Sequence, residues 1–283
     1  MRFQAPPRAA VDACCWTRPP LASWSARFPW LAAPDWPAIA DLNDLLAGRR
    51  HRVSGHPLCL VAETPALFKD GLHYEQRIFR EGRISTRERN WHDLFNALIW
   101  LEHTAIKSAL NARYVAEMMP AAVRERNRAQ MALTHFDEAG AVVFIERNTA
   151  VSCWDAHDWP GLFRGQAEDW RSGRIRVSVF GHALLEHALL PRPESVAKCL
   201  VLETESTGPA SDQAVCEAAL AQAIRSGKLL NDPQDLRPLP LAGIPGWHPG
   251  AGSAQFFDAA CFRPLRAGRR YPPPWPVEAA WMR

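Results

Sequence analysis

NWHDLFNALIWLEHTAIKSALN, running from Asn90 to Asn111, is the stretch whose reading decides how this chain folds. Its pattern predicts one long helix from His92 to about Met119, closed by Pro120. On a helix each residue turns by about 100°. With His92 set at zero, Asn96 falls at about 40°, His103 at about 20° and Lys107 at about 60°. These residues form one narrow polar stripe. Leu94, Phe95, Ala97, Leu98, Ile99, Leu101, Ala105, Ile106 and Ala109 fill the rest. A helix that is apolar nearly all round is buried. Its polar stripe then faces a pocket or an internal network, because unpaired polar groups in a core are costly. The other reading is a plain solvent face, but a surface stripe in so arginine-rich a chain would sooner carry Arg, Glu and Gln. Asp93 sits in the first turn, where an acid also serves the helix dipole. Adjacent His and Asp ligands occur in metal-dependent phosphohydrolases, but no spacing here supplies the further ligands those enzymes need.

Working outward, a helix is expected from Asp35 or Pro37 to Gly48, with strands at Leu58–Ala62 and Tyr74–Arg80. After the long helix, a second covers Ala121–Met131. Ala132–Phe136 and Ala141–Ile145 flank Asp137-Glu138-Ala139-Gly140, the pattern of a hairpin. A helix over Asp155–Trp170 leads to a strand at Ile175–Phe180. Gly181 turns that strand into a helix through Leu190, stopped by Pro191. A strand over Ser195–Glu203 and a helix over Ser211–Ser226 follow. From Asp232 onward Pro and Gly break every periodic pattern. That stretch still carries Leu239, Leu241, Ile244, Trp247, Phe256, Phe257 and Phe262, so residues 232–266 are read as an ordered wrap. Residues 1–37 are rich in Pro, Trp and Ala, with Trp16, Trp24, Trp30 and Trp36 as anchors onto the body. The expected organisation is an N-terminal arm over residues 1–33, one domain over 34–266 and a Pro-rich tail over 267–283. The expected fold class is α+β: a single domain, a small sheet packed with helices, a long buried central helix and an irregular C-terminal wrap.

Composition narrows the function. Hydrophobic residues make up 47% and charged residues 22% of the 283 residues, the balance of a folded globular chain. A net charge of +3 is too mild for a nucleic-acid binder, which concentrates basic charge on one face. No apolar run reaches the length of a membrane span or a signal peptide. Seven cysteines without a Cys-x-x-Cys pair argue against a disulfide scaffold and a structural zinc knot. A reducing, cytoplasmic setting is the expectation.

Further candidates lie outside the long helix. His182 follows a strand and heads a helix, with Glu186 one turn later on the same face. Asp137-Glu138 is either a carboxylate pair or simple turn chemistry. Imidazole and carboxylate groups suit acid–base work near neutral pH. Asn and Lys suit holding an anionic or carbonyl group. The expected site therefore joins His92, Asp93 and Asn96 to His182 and Glu186 as catalytic groups. Lys107, Asp137 and Glu138 serve as binding groups. A divalent metal is the candidate cofactor.

Several strings taken together resemble a known family. They are YExRI at Tyr74–Ile78, TRxxNWHDxFNALIW at Thr86–Trp100, FDExG at Phe136–Gly140, FGHALLE at Phe180–Glu186, GIPGW at Gly243–Trp247 and FRP ending at Pro264. In this order they resemble the bacterial domain-of-unknown-function family numbered 3025, over about residues 34 to 266. The resemblance implies one intact domain with His92, Asp93, Asn96, Lys107, Asp137, Glu138, His182 and Glu186 at motif positions. It carries no activity. The chain departs from the pattern at His103-Thr104, where a Phe-Pro pair is expected. It departs again at Gln130-Met131, in place of Arg-Asp, and at Phe257, in place of Tyr. The functional expectation is a hydrolase-like enzyme acting on a small molecule. The alternative is a non-catalytic binding or scaffold protein with a protein partner, its polar cluster structural.

Overall fold

A computed structural model describes residues 3–118, 126–147, 149, 151–190, 194–204 and 211–277. The chain is α+β, built around one continuous core. α1 (Leu21–Arg27) and α2 (Ile39–Leu46) lead to β1 (Cys59–Ala62), α3 (Tyr74–Glu81) and β2 (Arg83–Thr86). Then come α4 (Trp91–Glu102), α5 (Thr104–Ala116), α6 (Arg128–Ala139) and β3 (Gly140–Glu146). α7 (Ser152–Asp155), α8 (Ala167–Arg171), β4 (Ile175–Val179), α9 (His182–His187) and β5 (Val196–Thr204) follow. α10 (Ser211–Arg225), β6 (Arg237–Pro240) and β7 (Trp275–Pro276) complete the order. The larger sheet runs β4-β3-β5-β6, with β7 beside the far half of β5. β3 pairs antiparallel with β4 (Ala141 opposite Val179) and parallel with β5 (Ala141 opposite Cys199). A separate parallel pair, β1 and β2, sets Cys59 opposite Arg83.

The buried central helical run is present as two helices. The chain leaves helical geometry at His103 (φ −118°, ψ 42°), between α4 and α5. Thr104 Oγ1 bonds back to the Trp100 carbonyl at 2.7 Å, a contact that bends helices. Phe95, Leu98, Ile99 and Trp100 are fully enclosed, each burial contributing about 2 kcal/mol. The expected end of the run at Met119–Pro120 lies outside the described residues, as do residues 121–125 of the expected second helix and Pro191.

Three local expectations are corrected. Tyr74–Arg80 is helix, not strand: His73 Nδ1 accepts from the Glu75 N–H, and Gln76 Oε1 accepts from the His73 N–H, closing a capping box. Ala132–Phe136 is not one arm of a hairpin. It belongs to α6, which begins at a reciprocal Asn127–Gln130 cap and runs straight into β3 at Gly140. Asp155–Trp170 is not one helix. Pro160, Gly161, Gly165 and the positive φ of His157 (55°) split it into the end of α7, a π-helical turn and α8.

The arm and the wrap both pack on the core. Trp16 and Trp24 are buried, and Arg8 lies over the rings of Trp36 and Trp91. In the wrap, Leu239, Leu241, Ile244 and Phe262 are buried, and Pro238 accepts from Trp154 Nε1 at 2.7 Å. Within residues 267–283, Trp275–Pro276 joins the sheet as β7; residues 278–283 lie outside the described residues. Among the described residues no helix is long and apolar enough to cross a membrane.

Candidate functional site

Three helix ends converge on one pocket: the first turn of α4, the last turn of α6 and the first turn of α9. Asn90 caps α4 by accepting from the Asp93 N–H at 3.0 Å, which turns Trp91 into the core and His92 outward. Asp137 and Glu138 close α6. Phe180 N–H and Gly181 N–H both donate to the Gly140 carbonyl, at 3.0 and 2.8 Å, and this locks the start of α9 against the end of α6. A Cβ on Gly181 would sit 2.5 Å from Gly140 N and 2.6 Å from Glu138 O, so this approach requires glycine.

His182 and Glu186, one turn apart on α9, both meet His92. His92 Nε2 lies 3.1 Å from His182 Nε2, and His92 Nδ1 lies 3.2 Å from Glu186 Oε2. Glu138 Oε2 stands 3.5 Å from His182 Nε2 and 3.8 Å from His92 Nε2. Side-chain exposure grades from 4% at His182 through 28% at His92 to 44% at Glu138, so the cluster opens toward the pocket on the Glu138 side. Burial works against a proton on His92, but the Glu186 bond and the charges of Glu138, Glu186 and Asp93 outweigh it, and its pKa is raised. Burial dominates at His182, whose pKa is pushed down to about 3. Its Nδ1 is buried without a hydrogen-bond partner among the described residues. Burial also raises the Glu138 pKa.

His92, Glu138 and His182 offer ligand atoms close enough together that they could hold a metal ion. Edges of 3.1, 3.5 and 3.8 Å define a triangle whose centre is about 2.0 Å from all three atoms, the bond length of zinc to nitrogen and oxygen. Glu186 stands where a carboxylate fixes the tautomer of a ligating His from behind.

A second polar group lines the pocket, a cavity of about 340 Å³. Lys107 Nζ donates to Asp137 Oδ1 at 2.6 Å and to Asn96 Oδ1 at 2.9 Å. Asn96 Nδ2 donates to the Tyr74 hydroxyl at 2.9 Å. Burial opposes ionisation of Asp137, but the Lys107 ammonium wins and holds its carboxyl below the usual range. Asp93 lines the rim, gripped by Arg87 through Nε (2.9 Å) and Nη2 (2.8 Å).

Of the residues expected from sequence, His92, Asp93, Asn96, Lys107, Asp137, Glu138 and His182 line this one pocket. Glu186 backs His92. Asp137 and Glu138 act separately, one on Lys107 and the other beside the histidines, and both belong to a helix end rather than a turn. His103 leaves the stripe at the break between α4 and α5, packing near Phe180 and Glu217. Tyr74, Glu75, Arg87, Asn111 and Arg126 also line the pocket and were not among the expected site residues. Tyr74 and Glu75 stand in one of the family-like strings, where the strand reading hid their shared position at a helix start.

A family model matches residues 59–266. The chain belongs to the DUF3025 family, proteins of unknown function. The DUF3025 match runs from β1 through the C-terminal wrap, so it takes in every residue of the pocket. It begins after α2 and leaves the N-terminal arm outside. No curated protein and no solved structure matches the chain.

Proposed function

We propose that this chain is a divalent-metal-dependent hydrolase. The observation that carries the reading is the triangle of His92 Nε2, His182 Nε2 and Glu138 Oε2, sized for one ion at the edge of an open pocket. An ion held by three protein ligands keeps a position for water and lowers that water's pKa toward neutrality. Glu186 orients His92. Lys107, held between Asn96 and Asp137, offers positive charge beside the reacting centre. Asp93 is assigned a supporting role at the rim through its pair with Arg87. The compartment proposed is a bacterial cytoplasm, in keeping with the family resemblance and with seven cysteines that are all free thiols.

The test starts from metal-stripped protein titrated with zinc and with manganese. One ion per chain is expected, with tight binding lost in His182→Ala and Glu138→Ala. Turnover of matched ester, amide and phosphoester substrates should appear only with the ion present. Wild-type protein that binds no ion would end the reading.

A non-catalytic binding role is the second reading. It draws on the paired state of the inner charges: Asp93 with Arg87, and Lys107 with Asp137. Stoichiometric capture of a protein partner by the metal-free chain, with no turnover at any metal loading, would favour it.

A further inference from the structure

Along one wall of the pocket the hydrogen-bond directions are forced. Lys107 Nζ can only donate, so Asn96 Oδ1 accepts and the amide is oriented. Asn96 Nδ2 must then donate to the Tyr74 oxygen. The Tyr74 hydrogen is left to point elsewhere, and no acceptor for it occurs among the described residues. Burial keeps this phenol protonated, its pKa well above the ordinary value.

A second relay ends on the next residue with the opposite polarity. The backbone N–H groups of Val53 and Ser54 point at His51 Nδ1, at 3.3 and 3.0 Å. Nδ1 is therefore the acceptor, and Nε2 carries the hydrogen. Nε2–H donates to Asn111 Oδ1 at 3.0 Å, so Asn111 Nδ2 donates to Glu75 Oε2 at 2.6 Å. The other Glu75 oxygen has no hydrogen bond among the described residues. Tyr74 and Glu75 are neighbours in the first turn of α3, and both line the pocket.

We propose that Tyr74 and Glu75 read the substrate, Tyr74 donating one hydrogen bond and Glu75 accepting another, and that the group they read is a carboxamide. This rests on the hydrolase reading for the chemistry that follows, but not for the recognition itself. A carboxamide presents an acceptor carbonyl beside an N–H donor, the complement of this wall. A carboxylate lacks the donor and meets the charge of Glu75. An ammonium lacks the acceptor that Tyr74 needs. A site whose buried polar groups are left unpaired by the wrong ligand discriminates strongly. The relays fix Glu75 Oε2 as an acceptor and leave the Tyr74 hydrogen to the pocket; the second Glu75 oxygen accepts in the ionised form, which burial opposes and the Asn111 bond and the Lys107 and Arg126 charges favour.

The test is isothermal titration of the full chain with benzamide, benzoate and benzylamine, with and without zinc. Benzamide is expected to bind about tenfold or more tighter than the other two in both states. Tyr74→Phe should weaken benzamide about tenfold with the circular dichroism spectrum unchanged. Glu75→Gln is the sharper variant. Asn111 still donates, so the introduced amide must turn its oxygen to Asn111 and its NH2 to the pocket. The wall then offers two donors, and benzoate should bind tighter than benzamide. Equal binding of the three probes, no binding of any, or an unchanged order in Glu75→Gln overturns the proposal. If zinc fails to bind while benzamide selectivity holds, the hydrolase reading falls and the recognition wall stands.

Discussion

His92 Nε2 faces His182 Nε2 across 3.1 Å, with the ring planes at 75°. At this distance the two imidazole nitrogens share one hydrogen as an N–H···N bond, in the place a metal ion would take. Without metal, His92 is the donor, its pKa raised, and His182 the acceptor, held neutral until about pH 3. Metal ligands must be deprotonated, so an ion entering here displaces that proton. Zinc titrations below the raised His92 pKa, in buffers of different ionisation enthalpy, should therefore report release of protons on binding. Affinity should weaken as pH falls, because the proton competes. An affinity that does not change as pH falls would place the ion elsewhere.

Glu186 contacts His92 from the side away from the pocket. Glu186→Gln keeps an acceptor at that place but removes the charge. Losses of about 10- to 100-fold in metal affinity follow from such changes behind a ligand. Circular dichroism and the denaturation midpoint should barely move. An unchanged zinc Kd would show that Glu186 does not act on the ion through His92.

Gly181 sets the distance between the end of α6 and the start of α9. In Gly181→Ala the new methyl meets the backbone of Gly140, Ala139 and Glu138, so one of the two chain segments must give way. The cost is expected at about 1–3 kcal/mol in urea denaturation. Metal affinity should fall as well, because Glu138 and His182 sit on opposite sides of the displaced contact. An alanine substitution at the exposed Gly48 lacks this second effect and serves as the control.

Lys107 is buried, with Asp137 as its charge partner. Lys107→Met removes the cation and leaves the carboxylate in the cavity wall uncompensated. A loss of about 3 kcal/mol is expected, and Asp137 should then titrate upward. Adding Asp137→Asn to Lys107→Met should recover part of that loss. Strict additivity of the two single changes would mean that the pair is not coupled.

His51 gives the fold an acid-sensitive element. Its pKa is pushed down to about 4, chiefly by burial, with the Asn111 bond opposing. The unfolded chain takes up a proton near pH 6.5, whereas the folded chain does so only near 4. The stability His51 contributes is therefore whole above pH 6.5 and is lost as pH falls through that window, by up to about 3 kcal/mol. His182, held down in the same direction, adds to this slope. Urea denaturation from pH 7.5 to 4.5 should show the decline, and a flat profile would contradict it.

Much of this was legible in the sequence where local chemistry and final structure agree. Ile175, Val177 and Val179 alternate before Phe180-Gly181-His182, and the strand, the turn and the helix start are all there. The polar stripe led to His92, Asn96 and Lys107 because helix α4 is regular and its apolar surround is buried. The misses have physical causes. His73 is an uncommon helix cap, so the start of α3 carried no familiar signal, and Tyr74 and Glu75 stayed hidden. Asn127 with Gln130 is a capping box that the sequence does contain. The apolar run Ala132–Phe136 outweighed it, and the turn-like Asp137–Gly140 completed a false hairpin. The true partners of β3 lie far away at β4 and β5, and only tertiary pairing reveals them. His103 fell within the stripe on an ideal helix but left it when the helix bent by one residue.

The three groups that would hold the ion come from α4, α6 and α9, with more than forty residues between successive members. No segment of the unfolded chain can gather them, so any ion bound here is bound to the finished tertiary structure alone. Binding and folding then share one equilibrium. Free metal at a hundred times its Kd adds about 2.7 kcal/mol to the folded state. If the site takes an ion, its supply would then set how much of the chain is folded, and so how long it survives proteolysis of the unfolded form.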